Sequence, residues 1–477
     1  MHRVVIPTTS TSFSIIDAVA SRYSRIPPLT DHQPPTTAHR PPTKVRWGVS
    51  VTTAAARSTA PAPPPDPDSG PPAVGLRRIA AALHYRNFRI LWFGAFTSTI
   101  GTWMQKVAQS WLVLTLTGPA SAFYLGLDSF LGELPILLFT LLGGVIADRR
   151  DRRGMLLTSQ YIQMSTAFAL TLLVYFDVIR IWHVLTLSVI TGLAQAFGGP
   201  AHQSLLPSLV DKKDVPNAIA FNSIQFNLAR VIGPLLAGAA LTAFGMVACF
   251  GLNSLSFVAV IIAIFSLKIH YTPPARTTRI ADEFRIGLEF VRQQPALIGL
   301  AVLGFATTFL GNPLLTFLPL FAKNVFHGDV AQYTWLMAAA GGGAVTGALV
   351  VAWLGRFPHM GRTLLLIEMV YALMVVLFAV TRVLWLNAAL LFVAGGCFVM
   401  VASMLSSLVQ LNVTNEMRGR VMSIYMVAFR GGMPLGSLAA GWIASATSAP
   451  VVLTVDGALL SLVAAWFLLR SHGVREL

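Results

Sequence analysis

The sequence predicts an all-α membrane protein of twelve transmembrane helices in two six-helix halves, with both termini on the cytoplasmic side. Three observations carry that expectation. Hydrophobic residues make up 55% of the 477 and charged ones 11%, with mean hydropathy +0.67, beyond the composition of a water-soluble domain. The apolar residues gather into blocks of transmembrane length, and the basic residues fall between them in a one-sided pattern. One segment near the middle also recurs, with its intramembrane arginine and proline, 200 residues later.

Residues 1–75 stand apart. "DHQPPTTAHRPPTKVRWG" and "APAPPPDPDSGPP" are rich in Pro, Ala, Ser and Thr and cannot bury a core, so this leader is expected to be disordered. It lacks a continuous apolar run with a small-residue cleavage site, which argues against a secretory signal. The folded pattern begins near Val74 and no methionine lies between Met1 and Met104, so of two origins for the leader, a transit-like segment and an over-extended gene start, the second is favoured. Cys249 and Cys397 both sit in apolar runs and read as buried small residues, with neither a disulfide framework nor a metal motif in view.

The apolar blocks are 88–116, 121–147, 155–177, 182–207, 217–244, 247–269, 297–321, 332–354, 363–381, 384–410, 420–446 and 450–469. About 20 apolar residues in a helix cross a ~30 Å hydrocarbon core with every backbone group paired internally. The expected organisation is a first half over 76–269, a cytoplasmic linker 270–296, a second half over 297–470 and a cytoplasmic tail 471–477. Alternate loops and the two ends carry Arg77, Arg78, Arg86 and Arg89; Arg149, Arg150, Arg152 and Arg153; Lys212 and Lys213; Lys268, Arg276, Arg279, Arg285 and Arg292; Arg356 and Arg362; Arg418 and Arg420; and Arg470 and Arg475. The other loops hold only Arg180, Lys323 and Arg382. This asymmetry places the termini in the cytoplasm and accounts for the net charge of +15 without a nucleic-acid partner.

The repeat supports the two halves. "NSIQFNLARVIGPL" from Asn222 matches "MSIYMVAFRGGMPL" from Met422 at Ser223/Ser423, Ile224/Ile424, Arg230/Arg430, Pro234/Pro434 and Leu235/Leu435. These lie in the fifth and eleventh blocks, equivalent positions when the unit is six helices.

In "GGVIADRRDRRG", Gly144, Asp148, Arg149, Arg152 and Arg153 follow the spacing Gly-x-x-x-Asp-Arg-x-x-Arg-Arg, with Asp151 where glycine is usual. The stretch resembles the signature between helices two and three of the major facilitator superfamily. The fifth block resembles the signature of the exporter branch, with Ala220, Ala229, Gly233, Pro234, Ala237 and Gly238 at its small-residue and proline positions. "RNFRILWFGAFTSTIGTWMQKVAQSWLV" and "RGRVMSIYMVAFRGGMPLGSLAAGW" further resemble the branch holding the enterobactin exporter and related drug and macrolide efflux proteins. The resemblance implies the major facilitator fold, in which helices five and eight, and two and eleven, meet across the halves. Small-residue stripes at Ala229/Gly233/Ala237, Ala339/Gly343/Gly347 and Gly432/Gly436/Ala440 fall on three of those four helices. Gly233, Pro234, Gly238 and Pro434 are expected as gating and interface positions, with Pro234 leaving one carbonyl unpaired and bending its helix. Gly144 is expected to permit close helix approach, and Asp148 to meet the start of span eleven near Arg418 and Arg420, stabilising an outward-open state.

The intramembrane charges are the candidate site, because such groups face a cavity or a partner. At ~1.5 Å per residue, Lys106 and Asp128 lie about 12 and 10 Å inside the outer ends of spans one and two, close enough in depth to pair. Glu133, about 18 Å down span two, is the first proton-site candidate, with Arg230 as its expected partner and Asp128 as the alternative coupling acid. Arg230 and Arg430 sit at matched depth, either lining a cavity or pinning their own halves through amides such as Gln160, Gln163, Asn222 and Gln225. Glu368 and Asp456 lie within roughly 10 Å of helix ends and are expected to reach water. Gln105, Gln109, Asn227, Asn312 and Gln410 are expected along a wet cavity, His183 at the interface and His202 at a helix end.

The reading is a secondary active transporter in the cell membrane, proton-coupled and exporting an amphipathic small molecule, a drug or siderophore, by alternating access. Its partners are then the bilayer, the small molecule and protons, and it is expected to act as a monomer. No Walker, zinc or nucleophile motif occurs, so neither an enzyme nor a cofactor is expected. An importer on the same fold and a transporter-like sensor or assembly factor are the alternatives.

Overall fold

The computed structural model describes residues 81–267, 280–470 and 472–477; the leader, residues 268–279 of the linker region, and the side chains of Asp148, Arg149, residues 280–283 and His472 lie outside the described residues. Contacts divide the chain at Pro71 and Pro72, and every described residue belongs to the unit Pro72–Leu477.

Among the described residues every regular element is helical. Helix α1, Arg86–Thr117, stops where Gly118 adopts φ 50°, a value that a side chain rarely tolerates, and Pro119 begins a tight turn into α2, Ser121–Arg149. Helix α3, Arg152–Tyr175, is started by Asp151, whose carboxylate accepts from the backbone N–H groups of Arg153 and Gly154, both at 3.0 Å. Aspartate where the superfamily signature carries glycine is therefore an N-cap. Helix α4 is Ile181–Leu205. Helix α5, Val215–Phe265, is interrupted only at Gly245, φ 77° and ψ −173°, backbone open essentially to glycine alone. The chain doubles back there: Gly233 before the break faces Trp103 of α1, and Asn253 after it faces Gly101 of the same helix.

The linker region holds a short helix, α6, Ile280–Arg292, whose Gly287 lies on Arg420 and Ile424. Helix α7, Pro295–Gly311, breaks ahead of Pro313 and continues through Pro313–Thr316, Leu318–Leu320 and a π turn, Phe321–Val325. Helices α8, Val330–Leu354, α9, Met360–Val380, α10, Leu384–Leu411, α11, Arg418–Ala446, and α12, Ala449–Arg470, follow. The tail folds back: Val474 is 0% exposed, against Gly299 and Gly361.

The repeated prolines both lie inside stretches of continuous helix. Pro434 is buried inside α11, and the helix runs through it from Arg418 to Ala446 without a break. Pro234 is likewise buried, and α5 passes through it to reach its interruption at Gly245, eleven residues on. A proline ring takes away one backbone hydrogen bond and fixes φ at a helical value, so a well-packed helix can continue past it; a left-handed glycine cannot be passed in that way. Pro434 is thus a packed position within the helix, and the interruptions lie at Gly245 and ahead of Pro313.

Among the described residues, eight stretches are long and apolar enough to cross a membrane, two of them, Arg86–Ala147 and Lys212–Phe265, 62 and 54 residues long. The outward faces of the helices are apolar, with tryptophans near helix ends such as Trp353, 85% exposed, Trp385 and Trp442. That surface suits lipid with its aromatic belts, and the protein is a multi-pass membrane protein.

Packing links α1 to α5, α2 to α4, and α3 to α4 and α5; likewise α7 to α11 and α12, α8 to α10, and α9 to α10 and α12. Between these sets, α2 crosses α11 and α5 crosses α8. The small-residue stripes do not serve those crossings. Gly233 faces α1, Gly343 and Gly347 face Phe392 and Gly396 of α10, and Gly432 and Gly436 face Phe305 and Phe309 of α7. The crossings rest instead on Gly126 against Ser437 and Gly441, and on Gly238 against Thr334. A Cβ on Gly144 would meet nothing within 4 Å, so close approach is not its role here; its neighbour Gly143, against Ala196 and Phe197, has that role.

The core is joined at one end and divided at the other. Where α1 ends and α2 begins, one apolar cluster runs from Val107, Leu114 and Leu125 through Phe317, Phe321 and Tyr333 to Phe378 and Leu453. At the opposite, terminal end, one cluster draws only on residues between Ala82 and Leu267 and another only on residues between Val291 and Val474.

Candidate substrate cavity

Asp128 of α2 is the best-held charge in the bundle. Gln109 of α1 donates to both of its carboxylate oxygens, at 3.1 and 3.0 Å, and Ser188 of α4 donates at 2.5 Å. Gln109 also reaches Ser188 at 2.9 Å, which closes a triangle across three helices. Lys106, one turn before Gln109, is within electrostatic reach of Asp128, but no ion pair joins the two among the described residues. Its ammonium lies 5.4 Å from the centroid of the Trp103 ring, and the guanidinium of Arg230 lies 5.7 Å from the same ring. One indole thus receives two cations, an arrangement favoured by its negative π face.

Arg230 is half-buried and lines a narrow cavity with Gly311, Asn312, Tyr371, Gly395 and Phe398. The cavity, about 20 Å³, has room for about one water. Among the described residues no ion pair joins Arg230 to Glu133, so the expected partnership is absent. Of the four amides expected as alternative anchors, three are engaged elsewhere: Gln163 bonds Ser159, Asn222 bonds His202, and Gln225 bonds Thr99, while the buried Gln160 Oε1 has no hydrogen-bond partner among the described residues. The guanidinium of Arg230 lies over the Trp103 ring, and Tyr371 lines the same cavity beside it. Arg430, its counterpart on α11, is exposed, and Glu133 is half-buried.

At the crossing of α2 and α11, Ser437 gathers Ser129 at 3.2 Å, Asn312 at 2.9 Å and Thr316 at 3.2 Å, beside the break in α7. Ser437 lies one turn beyond Pro434 on α11, so the polar contacts of this crossing sit on the helix just after the proline. Among the other polar residues, Gln105 accepts from Asn253, whereas Asn227 and Gln410 bond within their own helices. His202 meets Asn222, and His183 closes the start of α4 by accepting from the backbone of Arg180. Glu368 overturns its expectation: it is 0% exposed and reaches no water. Counting residues from a helix end gives depth but not the face on which a side chain points.

The arginines after α2 tie helix ends together. Arg152 donates to Ala147 and Ser204 carbonyls at 3.3 and 3.0 Å, and Arg153 to those of Ile264 and Phe265 at 3.0 and 2.8 Å. Each thereby places a cation at the negative end of a helix dipole. The Asp148 side chain lies outside the described residues. Sequence reasoning missed Trp103, Ser188, Tyr371 and Ser437; the signal for the first is its position three residues before Lys106, on the same helix face.

The sequence profile of the family described as "Transmembrane secretion effector" matches residues 79–476. The chain belongs to that family, within the major facilitator superfamily. It is 28% identical over 358 residues to the staphyloferrin A transporter of Staphylococcus aureus, covering 72% of this chain and 86% of that one. It is 26% identical over 368 residues to the multidrug efflux pump Tap of Mycolicibacterium fortuitum, covering 75% and 89%, and 24% identical over 384 residues to the enterobactin exporter EntS of Escherichia coli, covering 79% and 91%. Among solved structures it resembles a bacterial homologue of the lysosomal transporter Spinster in an inward-facing, unoccupied conformation, with TM-score 0.65 at 15% identity over 84% of this chain and 98% of that one. A peptide transporter bound to alafosfalin gives TM-score 0.67 at 14% identity over 84% and 99%; these likenesses show the fold alone. This member of the family is a transporter of small molecules, not an enzyme.

Proposed function

We propose that this transporter exports an amphipathic small molecule by alternating access, driven by protons, as a monomer in the inner cell membrane. The observation that carries the reading is the core, continuous at one end of the bundle and divided at the other, as a cavity open to one side requires. Twelve crossings in two six-helix halves are consistent with the helices: the two longest apolar stretches each have length for two crossings, and α3 and α11, 24 and 29 residues long, complete the number. With the basic loops and both termini in the cytoplasm, the divided end faces inward. The substrate would then enter from the cytoplasm and meet Trp103, Lys106, Arg230 and the Asp128 cluster. Efflux relatives acting on drugs, macrolides and enterobactin support export of an amphiphile.

The test is reconstitution into vesicles, with flux of a macrolide, a cationic dye and an iron-free siderophore followed with and without a pH gradient. At least one should move faster than in empty vesicles and faster again with the gradient. Failure of all three rejects the substrate class, and indifference to the gradient rejects proton drive. Asp148 is proposed to meet the start of α11 near Arg418 and Arg420 once the cytoplasmic side closes. Asp148→Asn should then raise the inward-open population several-fold, for a contact worth about 1 kcal/mol, and unchanged distances between labelled cytoplasmic loops reject the role. The leader 1–75 is proposed to be dispensable, so expression from residue 74 should preserve insertion and flux.

A further inference from the structure

Glu368 of α9 is fully enclosed, and neither carboxyl oxygen has a hydrogen-bond partner. Thr307 of α7 approaches it, with Tyr371 one turn along α9, Cys397 of α10 and Tyr425 of α11 close by. Asp456 of α12 and Arg230 of α5 act on Tyr371 rather than on Glu368, and among the described residues no cation forms an ion pair with the carboxyl. The hydroxyl protons of Thr307 and Tyr371 are already committed. Thr307 donates to the Leu303 carbonyl at 2.7 Å and Tyr371 to the Gly311 carbonyl at 3.0 Å. A carboxylate here would find no donor from either, whereas a carboxylic acid can donate to the Thr307 oxygen. An enclosed carboxylate without donor or counter-ion is among the costliest groups a protein interior can hold.

A second observation ties this acid to the break in α7. The carbonyl that Tyr371 holds belongs to Gly311, the last residue of α7 before its break, and Tyr371 also lines the one-water cavity beside Arg230. Interrupted helices in membranes occur where backbone lines a cavity or is re-satisfied by neighbours, and in transporters they form substrate and coupling-ion sites.

We propose that Glu368 is the acid that carries the coupling proton, in place of Glu133 or Asp128; this rests on the proton-driven reading above. In the conformation described here it is held neutral. Rearrangement at the α7 break frees the Tyr371 hydroxyl from Gly311 and admits water from the Arg230 cavity. Glu368 then passes its proton to that water, and the carboxylate left behind accepts from the released Tyr371 hydroxyl. Asp128, by contrast, already has three donor contacts from Gln109 and Ser188 in this state.

Glu368→Gln tests the assignment, because the amide N–H₂ can donate to the Thr307 oxygen as a carboxylic acid can. The variant should retain exchange of a macrolide across vesicles at equal pH while losing most of the acceleration by a pH gradient, and Glu133→Gln should retain both. Infrared spectra of the unmodified protein should contain a protonated-carboxyl band that Glu368→Gln removes, and Glu368→Asp should shift the pH profile of gradient-driven flux. An undiminished gradient response in Glu368→Gln, or an unchanged carboxyl band, overturns the assignment. Absence of any gradient response in the unmodified protein overturns proton drive itself, whatever the infrared result. If Glu368→Gln does not accumulate, the Glu368→Asp profile decides, and an unshifted profile rejects the proposal.

Discussion

At the scale of single residues, the informative positions are those where a local rule is broken. Asp151 departs from the superfamily signature, and the departure was legible in the sequence while its purpose was not, because a cap is defined by backbone geometry. Asp151→Ala should cost about 1 kcal/mol of stability, seen as a lower melting temperature in detergent, whereas Asp151→Asn should keep most of it. Equal melting of all three forms would remove the capping account. The charges Lys106, Asp128 and Arg230 were also legible as intramembrane charges, since charge within an apolar run is visible without coordinates. Their pairing was not, because the partners are an indole, a serine and amides that composition does not single out. Trp103→Leu removes the ring that receives both cations while keeping an apolar side chain. It should reduce flux of the transported probe several-fold, with Trp103→Phe intermediate, on the usual scale of about 0.5 to 2 kcal/mol for such contacts. Unchanged flux in Trp103→Leu would place the substrate elsewhere.

At the scale of elements, existence was easier to read than contact. The apolar blocks correspond to helices because each must satisfy its own backbone in lipid. The fifth and sixth blocks, 217–244 and 247–269, became the two arms of α5, with the turn reduced to Gly245. Which helix a glycine faces depends on rotation about the axis, and rotation is set by neighbours that the sequence does not name. Hence the stripes were visible but their partners were misjudged, and Gly144 was given a packing role that belongs to Gly143. The repeated Pro234 and Pro434 were visible for the same reason, while whether a helix stops at a proline depends on the packing around it. Gly441→Val should separate α2 from α11, because a side chain there meets Ala122, Phe123 and Gly126, while Gly144→Ala should be sterically neutral. Comparison of yield and melting temperature checks both. A Gly441→Val protein as stable as its parent would mean that the crossing can yield.

At the scale of the whole molecule, alternating access requires the α2–α11 crossing near Ser437 to part during the cycle. The Ser129 and Ser437 hydroxyls are 3.2 Å apart, and the native thiols Cys249 and Cys397 are buried, so a Ser129→Cys/Ser437→Cys protein should form one disulfide on mild oxidation. Its flux should stop when oxidised and return on reduction; full flux in the oxidised form would show that the crossing stays shut throughout. The division of the apolar core has a consequence for how the protein comes apart. A contiguous core unfolds as one cooperative unit, whereas separate clusters open independently. The terminal ends of the two helix sets should therefore exchange their amide hydrogens in two unrelated phases, each set by its own cluster. The opposite ends should exchange together and last. A mutation weakening the cluster around Leu364 and Leu405 would then speed exchange near its own helix ends and leave those around Phe88 and Leu156 untouched.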